Sequence, residues 1–235
     1  MNIIETVGLR KTFTNGDVEQ EVLKGVDVSV AAGEFVAIMG RSGAGKSTLL
    51  YQLSALDEPT TGRVVVDGQD LSLMTEAEVT EFRLYTMGYV FQDYALIPDL
   101  SAAENIITPL LMRGIAWGEA EELALAALDA VGLTTKANNL PSQLSGGEQQ
   151  RVSIARAIAG RPKIIFADEP TANLDSVSGK AVIDLLISLH RTYKQTIVMV
   201  THEAEYTAFC DRVIHLEDGQ IMTEETAMRP PVTSS

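Results

Sequence analysis

The chain has 235 residues, 46% of them hydrophobic, and a net charge of −14. That length and apolar content suit one large domain or a domain with an inserted lobe, while the acidic balance argues against nucleic acid or an anionic membrane surface as the main partner. No apolar run approaches the about 20 residues that cross a bilayer. The start, Met1-Asn2-Ile3-Ile4-Glu5, lacks the basic-then-apolar order of a secretory signal, and the single cysteine, Cys210, excludes an internal disulfide framework and fits a reducing compartment.

Residues 3–13 and 22–30 have strand character. Val22, Val26, Val28 and Val30 alternate in part, as on a half-exposed antiparallel strand, and Thr14-Asn15-Gly16-Asp17 is a turn signal. Phe13, just before that turn, reads from its neighbours alone as a core aromatic. Glu34 to Met39 is a short buried strand and Ser47 to Leu56 a helix. Between them Gly40-Arg41-Ser42-Gly43-Ala44-Gly45-Lys46-Ser47-Thr48 fits G-x-x-x-x-G-K-[ST] in the strand-to-helix setting that pattern needs. The glycines let several N–H groups point inward, and with the positive helix end they make a cradle for phosphate. Lys46 is placed to reach β- and γ-phosphates and the Ser47 hydroxyl to ligate Mg²⁺.

Arg63 to Gly68 reads as a strand ending in a turn. Thr75 and Glu78 have capping-box spacing for a helix to about Thr86, and Gly88 to Phe91 is a strand with Gln92 at its end. From Ser101 to Ala137 the pattern is helical, with a second capping box at Ser101 and Glu104 and an amphipathic helix over Glu119 to Val131. This predicts a helical lobe, bounded by Pro98 and Pro141, inserted into an α/β core. Leu144-Ser145-Gly146-Gly147-Glu148 opens a further helix to about Ala159. Its glycines serve either a plain cap or a second anion site of bare amides.

Lys163 to Glu169 is an apolar strand ending in two carboxylates, where open parallel sheets present their ligand crevice. Asp168 is placed to hold Mg²⁺ and Glu169 to orient and deprotonate an attacking water; the other reading is an acidic turn before Pro170. Ser178 to Tyr193 is a helix whose Val182, Leu185, Leu186 and Leu189 face a core. Gln195 to Thr201 is a buried strand expected beside the Glu34–Met39 strand, so His202 at its end is either a satisfied polar residue or a contact to a γ-phosphate. Tyr206, Phe209 and Cys210 share an apolar helical pattern, so a packed thiol is expected. Arg212–Leu216 and Gln220–Thr223 flank Glu217-Asp218-Gly219 as a hairpin, and Met228 to Ser235 reads as a loose tail.

Taken together, the segments resemble the ATP-binding subunit of ABC transporters over about Ile3 to Thr223. The P-loop is Gly40 to Thr48, the Q-loop carries Gln92, the signature is Leu144 to Glu148, the Walker B strand is Ile164 to Glu169, the D-loop is Asn173-Leu174-Asp175 and the switch histidine is His202. Gly88-Tyr89-Val90-Phe91-Gln92, Glu104-Asn105-Ile106 and Pro170 to Ser176 make the chain most similar to the lipoprotein-releasing and macrolide-export group, although Ala172 stands where that group often has glycine.

The resemblance implies an α/β P-loop NTPase (RecA-like) core, residues 1–92 and 160–223, with an N-terminal antiparallel β region. It also implies an inserted α-helical lobe at 93–159 and a tail at 224–235, all within one cassette. It further implies Phe13 under the adenine, catalytic roles for Lys46, Gln92, Glu169 and His202, and Mg²⁺ on Ser47, Gln92 and Asp168. Two copies would sandwich two ATP head to tail, with Ser145, Gly146 and Gly147 capping the partner's γ-phosphate and Asp175 at the seam. An integral membrane partner is expected, with the chain peripheral on the cytoplasmic face of the inner membrane. Tyr94, Leu96, Ile97, Pro98 and Leu100 would form the docking surface or else pack the lobe. No nucleic-acid partner is expected. The alternatives are an ATPase of a membrane signalling complex that controls cell-wall enzymes without transport, and an ABC ATPase acting on nucleic acid or ribosomes.

Overall fold

The computed structural model describes residues 1–16 and 18–226. Asp17 of the expected turn, and residues 227–235 of the tail expected over 224–235, lie outside the described residues, while residues 224–226 belong to the last strand rather than to a tail. In chain order the strands and helices begin with β1 (Asn2–Asn15), β2 (Val18–Val26), β3 (Ser29–Ala31), β4 (Phe35–Met39), α1 (Lys46–Leu53), β5 (Thr61–Val66), β6 (Gln69–Asp70) and α2 (Glu76–Thr86). Then come β7 (Met87–Val90), α3 (Ala102–Met112), α4 (Trp117–Ala130), α5 (Gly146–Ala159), β8 (Ile164–Asp168) and α6 (Ser176–Tyr193). The chain closes with β9 (Thr196–Val200), α7 (Ala204–Thr207), β10 (Arg212–Glu217) and β11 (Gln220–Thr226). It divides into two compact units, Met1–Val79 with the chain from Tyr193 onward, and Thr80–Thr192.

The first unit holds an antiparallel sheet in the order β2-β1-β5-β6, with β3 also paired to β1. It also holds strands in the order β11-β10-β4-β9, where β10, β4 and β9 run parallel and β11 closes the edge antiparallel to β10. β4 is apolar and buried up to the half-buried Met39, and β9 is buried throughout and apolar after Thr196, the composition of parallel strands covered on both faces. Leu49, Leu50 and Leu53 bury one side of α1. The helix ends three residues short of the expected Leu56, because Ala55 takes a left-handed φ of 55°. Three more expectations change here. The strand expected over residues 22–30 breaks at Asp27 and Val28 into β2 and β3, which pair with different stretches of β1. Phe13 is 46% exposed rather than core, since its stretch of β1 pairs only with the outer strand β2. Cys210 lies beyond α7 rather than on a helix, yet its thiol is buried and burial pushes it up to about 12, so it is packed as expected.

In the second unit β7 and β8 pair in parallel, and α3, α4 and α5 pack on one another. Ala120, Ala124 and Ala127 give α4 a small-residue face that lets the helices approach, while Ile106, Ile107 and Leu110 of α3 and Val152 and Ile154 of α5 are buried. All three expected capping boxes form. Thr75 N donates to Glu78 Oε2 at 2.8 Å, Ser101 N to Glu104 Oε2 at 2.7 Å, and Ser145 N to Glu148 Oε2 at 2.8 Å. Those backbone bonds hold Glu78, Glu104 and Glu148 below the usual carboxylate range. Among the described residues no helix is long and apolar enough to cross a membrane.

Candidate nucleotide-binding site

In the first unit β4 runs straight into the glycine loop and out into α1. Gly45 caps that helix with φ 97°, a left-handed position that glycine adopts without a Cβ penalty, and no side chain caps α1. Nor does an acidic residue occupy its first turn, where an anion is most stabilising. Gly40 is required by close approach: a Cβ there would lie 2.2 Å from the carbonyl oxygen of Leu216 on β10. Arg41, Ser42 and Gly43 are exposed, Ala44, Gly45 and Lys46 are buried, and Ser47 and Thr48 are half-buried. Lys46 Nζ donates to the Arg41 carbonyl at 3.2 Å, so the ammonium is folded over the mouth of its own loop.

His202 follows β9, whose pairing with β4 sets Val200 beside Ile38, and Thr201 N donates to Ile38 O at 3.2 Å. Carried on by two residues, that register sets the exposed His202 level with Gly40. Phe13 faces Gln20, two residues along β2 from Val22, and a Cβ on Gly45 would meet the Val22 carbonyl at 3.1 Å. Lys11 Nζ stands 5.0 Å from the Phe13 ring centroid while paired with Asp57 at 2.7 Å. An exposed ring is what stacking on a purine requires.

In the second unit β8 ends on Asp168, 4% exposed, and Glu169 then takes a left-handed φ of 42°. Such non-glycine positions cost energy and gather at functional sites. The β7–β8 register pairs Val90 with Ala167, so Phe91 and Gln92 leave β7 at the end where β8 delivers Asp168 and Glu169. Gln92 is exposed. Gln150 of α5 was not singled out from the sequence, yet it is fully buried and brackets this group. Its Nε2 donates to Phe91 O at 3.3 Å and to Pro170 O at 2.8 Å. A glutamine on the same helical stripe as Gly147 and Ile154 was the available signal.

Ser145, Gly146 and Gly147 start α5, and Ser145 Oγ accepts from Glu148 N at 3.3 Å. The Gly146 and Gly147 amides belong to the first turn, which has no intrahelical acceptors. A Cβ on Gly147 would lie 2.9 Å from Ser178 Cβ and Oγ, so the glycine also permits packing against α6. Asp175 caps α6: Oδ1 accepts from Val177 N and Ser178 N at 3.0 Å each, and Oδ2 accepts from Ser178 Oγ at 2.7 Å. These bonds, Ser178 N–H first, hold its carboxyl below the usual range. The structure thus brings Gly40–Thr48 and His202 together in one unit. In the other it gathers Gln92, Asp168 and Glu169, with Asp175 at the foot of α6.

The first-unit loop fits a polyphosphate, since a helix start that no side chain caps, a glycine cradle and a buried lysine converge there. No group of three His, Cys, Asp or Glu residues that could hold a metal occurs among the described residues. Mg²⁺ does not need such a cage, being held by one or two protein oxygens, waters and phosphates. Ser47 and Asp168 are donors of the right kind.

The ABC transporter family model matches residues 23–172. The ABC transporter ATP-binding protein YbbA of Escherichia coli (strain K12) is 46% identical over 223 residues, which are 95% of this chain and 98% of that protein. The lipoprotein-releasing system ATP-binding protein LolD of Syntrophotalea carbinolica is 44% identical over 93% of this chain and 96% of its own. The macrolide export ATP-binding/permease protein MacB of Brucella melitensis is 47% identical over 95% of this chain, which covers 34% of that longer protein. Among solved structures, the ATP-binding cassette MJ0796, a dimer in a post-hydrolysis state bound to ADP and Pi, superposes with a TM-score of 0.89. It is 40% identical over 96% of this chain and 99% of its own.

Proposed function

This chain belongs to the ABC transporter family of ATP-binding, ATP-hydrolysing cassettes, and we propose from that premise that it powers a membrane partner in export or extraction of a lipoprotein, peptide or amphipathic drug. The observation that carries the reading is the glycine-capped start of α1, which no side chain caps, with Lys46 Nζ on the Arg41 carbonyl of the same loop. ATP is the substrate, and a bound Mg²⁺ would supply charge compensation for its phosphate oxygens. Gly40 to Thr48 cradle the phosphates, Lys46 reaches the β- and γ-oxygens, and Phe13 stacks under the adenine. Ser47, Asp168 and Gln92 attend the metal, and His202 contacts the γ-phosphate. Glu169 takes a proton from the attacking water as its oxygen bonds to the γ-phosphorus and the bond to the bridging oxygen breaks.

Two copies close head to tail over two ATP, each lending Ser145, Gly146 and Gly147 to the other's γ-phosphate, with Asp175 at the seam. The membrane partner docks beside Gln92, on the face led by the exposed Ile97 and Pro98. Asn105 stiffens that face: its Oδ1 accepts from Ile97 N at 2.7 Å and its Nδ2 donates to the carbonyls of Ile97, Leu100 and Ser101. The chain then sits peripherally at the membrane.

Glu169→Gln tests the proposal. Turnover should fall about a hundredfold or more, while ATP binding persists and a dimer accumulates in ATP, read by light scattering. Near-normal turnover would remove Glu169 from the base role. Co-purification of the intact complex then identifies the membrane subunit, and with it transport or signalling.

A further inference from the structure

The loop after β7 is held almost carbonyl by carbonyl. Gln150 takes the Phe91 carbonyl, as described. Asn173 Nδ2 donates to Gln92 O at 3.2 Å and to Asp93 Oδ1 at 2.8 Å. Arg156 Nη2 donates to Tyr94 O at 2.9 Å and its Nη1 to Ala95 O. Tyr94 and Ala95 are consecutive left-handed residues, φ 61° and 49°, and neither is glycine. Positions of this kind persist only where the surroundings over-determine them. Here both strained residues present their carbonyls to one planar guanidinium, whose fork supplies two donors in fixed geometry.

Arg156 lies about three turns along α5 from Ser145. The same helix meets the loop again at its start: a Cβ on Gly146 would come 2.9 Å from Tyr94 Oη, which donates to Asn173 O at 3.4 Å.

We propose that Arg156 is the positioning residue of this loop: by holding Tyr94 and Ala95 left-handed it sets the place of Gln92 and joins the loop to the helix that begins with Ser145-Gly146-Gly147. The proposal rests on the reading that Gln92 attends the metal and nucleotide. Arg156 itself touches neither. Displacement of the α5 start is then felt at Gln92 through two routes, the guanidinium and the Tyr94 ring.

The test places Arg156→Ala and Arg156→Lys in the full-length chain, each alone and with Gln92→Ala, and reads kcat, KM for ATP, melting temperature and hydrogen exchange of residues 91–97. Arg156→Ala should speed exchange in that loop about tenfold or more and leave α3 amides unchanged. It should lower kcat between about tenfold and a hundredfold with a smaller change in KM, and Arg156→Lys should fall between. In the Gln92→Ala background the further loss of kcat should vanish, because both changes act on one group. Adding Ala95→Gly, which removes the left-handed penalty, should restore part of the kcat lost in Arg156→Lys; this arm stands even where Arg156→Ala does not fold. Unchanged loop exchange, losses that multiply in the double variant, or no rescue by glycine would each overturn the proposal. Should Gln92→Ala alone keep full kcat, the role given to Gln92 fails, while loop exchange still decides whether Arg156 holds the loop.

Discussion

Two helices in this molecule have glycine at their start, α1 as its cap and α5 in its first turn, and they begin differently. α1 starts at a left-handed Gly45 with no side-chain cap and no acid in its first turn. α5 starts at an extended Ser145, is closed by a reciprocal capping box and carries Glu148 in its first turn. The first has no side-chain cap and no acid of its own at its positive end, and adds the ammonium of Lys46. The second has spent one amide on Ser145 Oγ, and Glu148, ion-paired to Lys136 at 3.2 Å, already offsets its dipole. Only the Gly146 and Gly147 amides and the Ser145 hydroxyl proton remain for an anion. A site so partial suits a phosphate that is held elsewhere and only completed here, which is the arrangement proposed for the paired cassettes.

Removing the cation from the fuller site is the largest blow. Lys46→Ala should weaken ATP binding about tenfold to a hundredfold, the range for one charge-assisted contact, and cut hydrolysis further; unaltered binding by calorimetry would erase the contrast between the helix starts. Ser145→Arg sharpens it from the other side. It should leave ATP binding to the monomer within about twofold yet abolish the ATP-dependent dimer, and a matching loss of monomer binding would mean that the α5 start is not a shared element. The smallest effect concerns the caps themselves. Glu148, Glu104, Glu78 and Asp175 are all depressed by backbone hydrogen bonds, so the stability they add is present above the unfolded carboxylate range and lost as pH falls through their folded values. Urea midpoints should hold steady from pH 7 to about 5 and decline below about 4, with a shallower decline in Glu148→Gln.

The caps illustrate what could be read in advance. Thr75–Glu78, Ser101–Glu104 and Ser145–Glu148 each follow from a four-residue pattern, because the donors and acceptors lie within one turn of chain. The apolar runs of β4, β8 and β9 were equally plain, since burial on both faces admits little else. Phe13 was not plain: its exposure depends on which strands flank β1, a matter of pairing far away in sequence. β6 is two residues long and exists only because Val65 and Val66 lie beside it. Gln150, Arg156 and Asn173 look like ordinary polar residues on a helix or a turn, and their role at residues 91–95 appears only when the loop is folded against them.

The chain's own order of residues therefore determined the glycine cradle, the two carboxylates after an apolar strand and the places where helices begin. Each of these is a bargain struck among neighbours a few bonds apart. Tertiary structure alone decided that His202 leaves β9 beside the strand that leads into Gly40, that Gln92 leaves β7 at the end where β8 delivers Asp168, and that Tyr94 and Ala95 stay left-handed. Those outcomes hang on strand register and on side-chain donors brought from distant segments, and no local preference of the residues concerned would have selected them.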